Sequence, residues 1–164
     1  MFDIRLGRVL ILNFEIKELS PKYVKGITAV AESLSAWFDA DSHRRAIPID
    51  LRHQDGFVAL DSEQVIGFIT LFVAEGRVNI GWMGVHPDYH HQGVGSALIG
   101  AAEDYCKQKG IEELATYTLG DSVAYEPYDS TRAFYYSLGF AIYQRSQTDN
   151  PGCPEEIKLK KAVD

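Results

Sequence analysis

The eleven residues HHQGVGSALIG, His90 to Gly100, carry the clearest chemical pattern in the chain. They follow the strand-like GWMGVHPDY and lead at once into small residues at helical spacing. A helix start leaves backbone N–H groups without intrahelical partners and bears the positive end of the helix dipole. Glycines just before it let those groups close on an anion with no Cβ in the way. Gln92, Gly93, Val94, Gly95 and Ser96 therefore offer backbone donors suited to a diphosphate, with His90 and His91 beside them. The turn holds no Lys or Arg, so the dipole would supply most of the positive charge. A plain strand-to-helix corner, with glycines for close packing, is the alternative reading.

Other glycine-loop chemistries fit less well. GVGSALIG places its third glycine two positions late for a dinucleotide fingerprint, and it follows a meander rather than the first strand of a parallel sheet. No Lys-Ser or Lys-Thr pair follows the glycines, as a Walker loop requires. His86, His90 and His91 are interrupted by Pro87, and adjacent histidines diverge, so they read as loop residues rather than a metal set. No CxxC spacing occurs, and Cys106 lies on an apolar helical stripe that marks it as core.

These residues need a frame. Val9 to Leu19 is apolar and β-branched and reads as an opening strand, after which Ser20-Pro21 caps an amphipathic helix expected over Pro21 to Phe38. Trp37 and Phe38 close that helix and read as packing residues. The segment from DADSHRR to about Asp55 has no assignable period. Gly56–Asp61, Gln64–Glu75 and Arg77–His86 form three strand-like runs with tight turns, an antiparallel meander. Gly81 and Gly84 inside the third run mark a bulge or a place where a ligand meets the backbone. From Gly93, the residues Val94, Ala97, Leu98, Ala101, Ala102, Tyr105 and Cys106 follow helical spacing, and Gly110 stands where a stop belongs. Ile111–Leu119 returns to strand. STRAFYYSLGF reads as a short helix with Ser130 as N-cap and Gly139 as stop. AIYQRS and EEIKLKKAV complete the strands. The class is α+β, with a mixed, largely antiparallel central sheet flanked by helices.

VHPDYHHQGVGSALI resembles the acetyl-CoA signature of the Gcn5-related N-acetyltransferase (GNAT) family, through Val85, Pro87, Gly93 and Gly95, with His90 where Gln or Arg is usual. Ala133-Phe134-Tyr135-Tyr136-Ser137-Leu138-Gly139-Phe140 resembles a second element of that family, in the same order along the chain. The resemblance covers about Val9 to Val163 and implies the family's acyl-CoA N-acyltransferase fold, whose sheet is splayed by a bulge. It implies acetyl-CoA as donor, its pyrophosphate at the glycine turn and its pantetheine arm pairing like an extra strand. A backbone N–H around Met83 to Val85 would polarise the thioester carbonyl. An amine would attack directly, and Tyr135, at the family's tyrosine position, would protonate the departing thiolate.

Beside this stands the bland reading of Tyr135 as a core aromatic, while Tyr136, about 100° further around the helix, reads as packing. The family's asparagine seven residues before the tyrosine is Tyr128 here. The strand Arg77–Val85 holds no carboxylate or histidine to act as base, which leaves Glu75, Glu126, Asp129, His43 and His53. Two other classes remain in view. One is a non-catalytic acyl-CoA sensor. The other is a metal-dependent vicinal-oxygen-chelate enzyme, which RAFYYSLGF also resembles, although the chain lacks that group's repeat.

Bulk properties narrow the partners. At 164 residues and 46% hydrophobic content the chain suits one domain, residues 1–164, with its own core. Its net charge of −7 argues against nucleic acid and mildly favours a cationic amine, small molecule or protein. No membrane-length apolar run and no signal-peptide layout occur, so a cytoplasmic monomer or homodimer working without metal is the expectation.

Overall fold

The computed structural model describes residues 12–164. Its strands are β1 (Glu15–Glu18), β2 (Asp55–Asp61), β3 (Gln64–Ala74), β4 (Arg77–Val85), β5 (Glu113–Leu119), β6 (Ala141–Gln147) and β7 (Glu155–Ala162). They form one sheet in the order β1-β2-β3-β4-β5-β7-β6, antiparallel everywhere except between β4 and β5. The meander and the mixed, mainly antiparallel sheet are as the sequence predicts. Residues 9–11 of the expected opening strand lie outside the described residues, and within them β1 is only four residues long.

Four helices cover the sheet: α1 (Val24–Ser33), α2 (Ile47–Asp50), α3 (Val94–Lys109) and α4 (Pro127–Ser137). Two apolar clusters place them on opposite faces. Ile27, Val30, Leu34 and Ile47 pack with Val58, Leu60 and Phe68 on one face. Val94, Leu98, Ala102, Cys106 and Tyr135 pack with Ile66, Ile69, Leu114 and Ile157 on the other. Each large side chain wholly withdrawn from water, such as Leu98 or Phe68, contributes roughly 1.5–3 kcal/mol. Among the described residues no helix is long and apolar enough to cross a membrane.

Two helix boundaries differ from expectation. The first helix begins as a 3₁₀ turn at Pro21–Tyr23 with no side-chain cap from Ser20, and α1 stops at Ser33. Its last turn tightens because the Ser33 hydroxyl donates to Val30 O and the Leu34 N–H to Ala31 O. Ser130 is not an N-cap: α4 starts three residues earlier, with Pro127 in its first turn, and the Ser130 hydroxyl donates to Pro127 O. The unassigned stretch holds a single π turn, Ser42–Ala46, running into α2. At the other stops, Gly110 (φ 68°) and Gly139 (φ 92°) take the left-handed conformation expected of them.

The joint between β4 and β5 is the feature that matters most. Only Val78↔Leu114 and Asn79↔Ala115 pair, after which the two strands diverge. Just beyond, β4 carries one residue more than β3, since Ile69 faces Met83 while Leu71 faces Ile80. The surplus falls at Gly81-Trp82, a bulge held by the Trp82 N–H donating to Thr70 Oγ1 at 2.7 Å. A Cβ at 81 would overlap Gln54 Oε1 and come within 2.8 Å of Thr70 Oγ1, so any larger residue there must displace the Gln54 side chain and crowd the bond that holds the bulge.

Candidate active site

The splay leaves the far half of β4 with one unpaired edge. His86 N–H donates to Ile66 O, so by antiparallel alternation Gly84 also faces β3. Met83 and Val85 then turn their N–H and C=O groups the other way, into the gap.

At the end of that strand the chain makes its turn. Pro87–Tyr89 form a 3₁₀ turn capped by His86, whose side chain accepts from Asp88 N–H. His91 and Gly93 both take positive φ, 60° and 85°, and Val94 begins α3. A left-handed residue followed by a right-handed one turns successive N–H groups toward a common point. No side chain caps α3, and no acidic residue stands in its first turn. The N–H groups of Val94, Gly95 and Ser96 are thus open to an anion, with the dipole behind them.

The predicted residues sort by what their side chains do. Val94 is 1% exposed, so only its main chain can serve a ligand. Gly95 lies under α4, where a Cβ would sit 3.1 Å from the Phe134 ring and 3.7 Å from Met83 Cε. Gln92 folds back, its side-chain amide donating to Asp88 O at 3.0 Å. His91, Gln92 and Ser96 are exposed at the rim. His90 is turned inward: its Nε2 lies 2.6 Å from Val85 O, and because a carbonyl only accepts, that nitrogen carries the proton. Its ring also stands edge-on to Trp37 at 6.4 Å. The His90 side chain therefore braces the turn against β4.

Tyr135 is 6% exposed and reaches the same gap from α4. Its hydroxyl donates to Met83 Sδ at 3.9 Å, a weak bond, and burial pushes its pKa up while the Thr116 hydroxyl pulls the other way. A phenol in such a place stays protonated and so holds a proton available to an anion formed beside it. Tyr136, 42% exposed, points to solvent instead of packing.

The helix carrying Tyr135 is firmly placed. Arg132, one turn earlier and 5% exposed, donates from Nη1 to Leu119 O at 2.7 Å and from Nη2 to Asp129 Oδ1 at 2.5 Å. This ties α4 to the end of β5. From the opposite face the Ala36-Trp37 turn is bound to the start of α4. Trp37 Nε1 lies 3.1 Å from both Pro127 O and Thr131 Oγ1, while the Tyr125 and Tyr128 hydroxyls donate to Ala36 O and Trp37 O. Tyr128, standing at the asparagine position, is thus a structural tie, and burial raises its pKa. Trp37 lines an open cleft with Glu126, Pro127, Asp129 and Ser130.

A further group escaped the sequence reading. Trp82, at the bulge, donates from Nε1 to Asp50 Oδ2 at 2.7 Å and packs edge-on against Phe38. Partial burial raises the pKa of Tyr117 in β5, and the charges of Glu156 and Asp50 add to it. No local pattern announces this group, because Asp50 and Trp82 meet, with Tyr117 and Glu156 on the facing strands, only when α2, β4, β5 and β7 come together.

Comparison with known proteins agrees with this fold. The model of the acetyltransferase (GNAT) domain matches residues 52–142, from the start of the meander to the start of β6. An uncharacterized protein, YxbD of Bacillus subtilis, is 27% identical over 89 residues, 54% of this chain. The match takes in 51% of that protein, so the chain spans about half the length of this relative. A GNAT-family protein from Desulfovibrio desulfuricans superposes with a TM-score of 0.78 at 20% identity, covering 93% of this chain and 100% of that one. The PaiA N-acetyltransferase of Thermoplasma acidophilum, in complex with coenzyme A, gives a TM-score of 0.68 at 20% identity, with 92% and 99% covered. These structures share the fold.

Proposed function

Given that the chain belongs to the acetyltransferase (GNAT) family, we propose that it transfers an acetyl group from acetyl-CoA directly to a primary amine within a ternary complex. The observation that supports this best is the uncapped, glycine-formed mouth of α3 standing where the sheet splays beneath a buried tyrosine. The residues present suit the donor. The N–H groups of Gly93 to Ser96 would take the diphosphate, and the edge of β4 at Met83 and at the Val85 N–H, with Val85 O already held by His90, would pair with the amide-bearing arm as a strand does. An N–H on that edge, aimed at the thioester oxygen, would stabilise the negative charge that grows there during attack. Tyr135 would then protonate the sulfur. With a phenol near 10 and a thiol near 8.5 that transfer runs about 2 kcal/mol uphill, and it is drawn forward as the phenol regains a proton from the acylated nitrogen. The acceptor is an amine of a small molecule or a protein, and the chemistry asks for no metal.

Calorimetry with acetyl-CoA, followed by amine-dependent release of free thiol, tests the proposal. Micromolar-range binding with turnover on at least one amine supports it. Binding without turnover on any amine favours a sensor, and absence of binding removes the reading altogether.

A further inference from the structure

Direct transfer, the reading on which this inference rests, needs a group to take a proton from the acceptor, which reaches the site at neutral pH as an ammonium ion. The carboxylates and imidazoles that sequence offered for the task are poorly placed or otherwise engaged. Glu75 is on the β3–β4 turn beyond the closed end of the β4–β5 seam, beside Arg77. Asp129 is bound by Arg132. His43 lines a groove with Val24, Lys25 and Thr28 on the far side of α1 and α2, and His53 is exposed in the turn after α2. Glu126 borders the cleft by Trp37, and among the described residues no partner aims its carboxylate.

Asp50 differs in being aimed. We propose that Asp50 is the catalytic carboxylate for the acceptor, holding the nitrogen and taking its proton, with Trp82 as the residue that positions it. Trp82 occupies the bulge, within the first residues after β4 leaves β5, so its bond to Oδ2 places the carboxylate over the opening gap. Among the described residues Oδ1 accepts no hydrogen bond. One turn on, the Gln54 N–H donates to Asp50 O, and Gln54 Oε1 lies buried against Gly81 without a partner. On the facing bank, Tyr117 and Glu156 share one side of the sheet, because Tyr117 pairs with Lys158 and Leu119 with Glu156. Lys158, paired with Tyr117, shares that side, so Asp50, Tyr117 and Glu156 offer an incoming nitrogen oxygen acceptors from three elements beside one resident ammonium.

The proton count closes. The ammonium gives one proton to Asp50, and the freed lone pair forms the N–C bond as the C–S bond breaks, its electrons going to sulfur. Sulfur is protonated from Tyr135, the second nitrogen proton restores the phenol, and Asp50 releases its proton to water.

Asp50→Asn is the decisive variant, since its amide oxygen still accepts from Trp82 while it cannot take the proton. Thiol release would be measured from about pH 6 to 10 at saturating acetyl-CoA, with spermidine, ethanolamine and an alanine-terminated pentapeptide as acceptors. At neutral pH, kcat/KM for the amine should fall about 10²-fold or more. The deficit should shrink as pH rises and free amine becomes abundant, while acetyl-CoA affinity and Tm hold. Trp82→Phe should raise KM for the amine more than it lowers kcat, and Glu75→Gln should match the parent. An Asp50→Asn rate within about threefold of the parent, or a deficit constant with pH, overturns the assignment. Should that variant fail to fold, Asp50→Glu decides, because a surviving carboxylate must keep the parent's acid limb. Failure of the unaltered protein to bind acetyl-CoA is a separate result, and it removes the transfer reading itself.

Discussion

Gly93→Ala isolates the backbone conformation on which the anion site depends. Gly93 holds φ at 85°, and a Cβ built on it meets nothing within 4 Å, so the methyl group brings no clash with the protein. What it brings is left-handed strain of about 1–2 kcal/mol for an L-residue. That strain has two outlets. If the loop keeps its shape, the protein loses that stability and Tm falls by roughly 2–8 °C for a chain of this size. If the residue instead flips out of the left-handed region, the N–H groups of the α3 mouth no longer converge, and acetyl-CoA affinity drops about 5–30-fold for the same energy. Gly93→Asn adds a larger side chain, yet asparagine tolerates this conformation. Calorimetry and thermal melts on both variants should show Ala impaired and Asn near the parent. Equal damage from Ala and Asn would refute the conformational argument, because it would implicate a Cβ in the binding space.

Tyr135→Phe should lower kcat about 10²-fold or more with little change in acetyl-CoA affinity, as seen in steady-state rates beside calorimetry; parental turnover would return Tyr135 to the core. Because its pKa is raised, the parent's activity should persist into the alkaline range, to beyond the ordinary phenol value of about 10, as a pH–rate profile would show. Tyr105 donates to Asp55 and is pushed up to about 12, chiefly by burial. A group raised on folding stabilises below its unfolded pKa, so urea midpoints should decline from about pH 10 to 12 in the parent and less in Tyr105→Phe. Arg132→Met leaves Leu119 O without its donor, which should cost about 1–3 kcal/mol in urea unfolding.

Much of this architecture was legible in the chain. Helix α3 announces itself because Val94, Leu98, Ala102 and Cys106 all face one core and glycines mark both ends. The meander shows because its turns are short and its strands apolar, and the bulge shows because glycine stands where a side chain would collide with Gln54 and Thr70. The glycine turn and Tyr135 are local motifs, so their shared place on the splay could be expected from the family resemblance they carry. What escaped is what no window of sequence contains. Trp37 bonds to residues 90 and 94 positions away, and Asp50 meets Trp82 across 32. The π turn into α2 was unreadable because SHRRAIPID has no apolar period to show it. His90 reads from sequence as a loop residue beside the anion site, whereas its ring is engaged by the carbonyl of Val85.

The two-rung seam between β4 and β5 also has a mechanical meaning. Each half of the sheet is laced internally, but the backbone bonds joining them are few and crowded at one end. Such a joint behaves as a hinge, stiff along its short weld and compliant beyond. A guest arm that zips onto the bare margin of β4 would act as a splint, slowing hydrogen exchange at Met83 and Val85 and drawing the β5–β7–β6 leaf toward its partner.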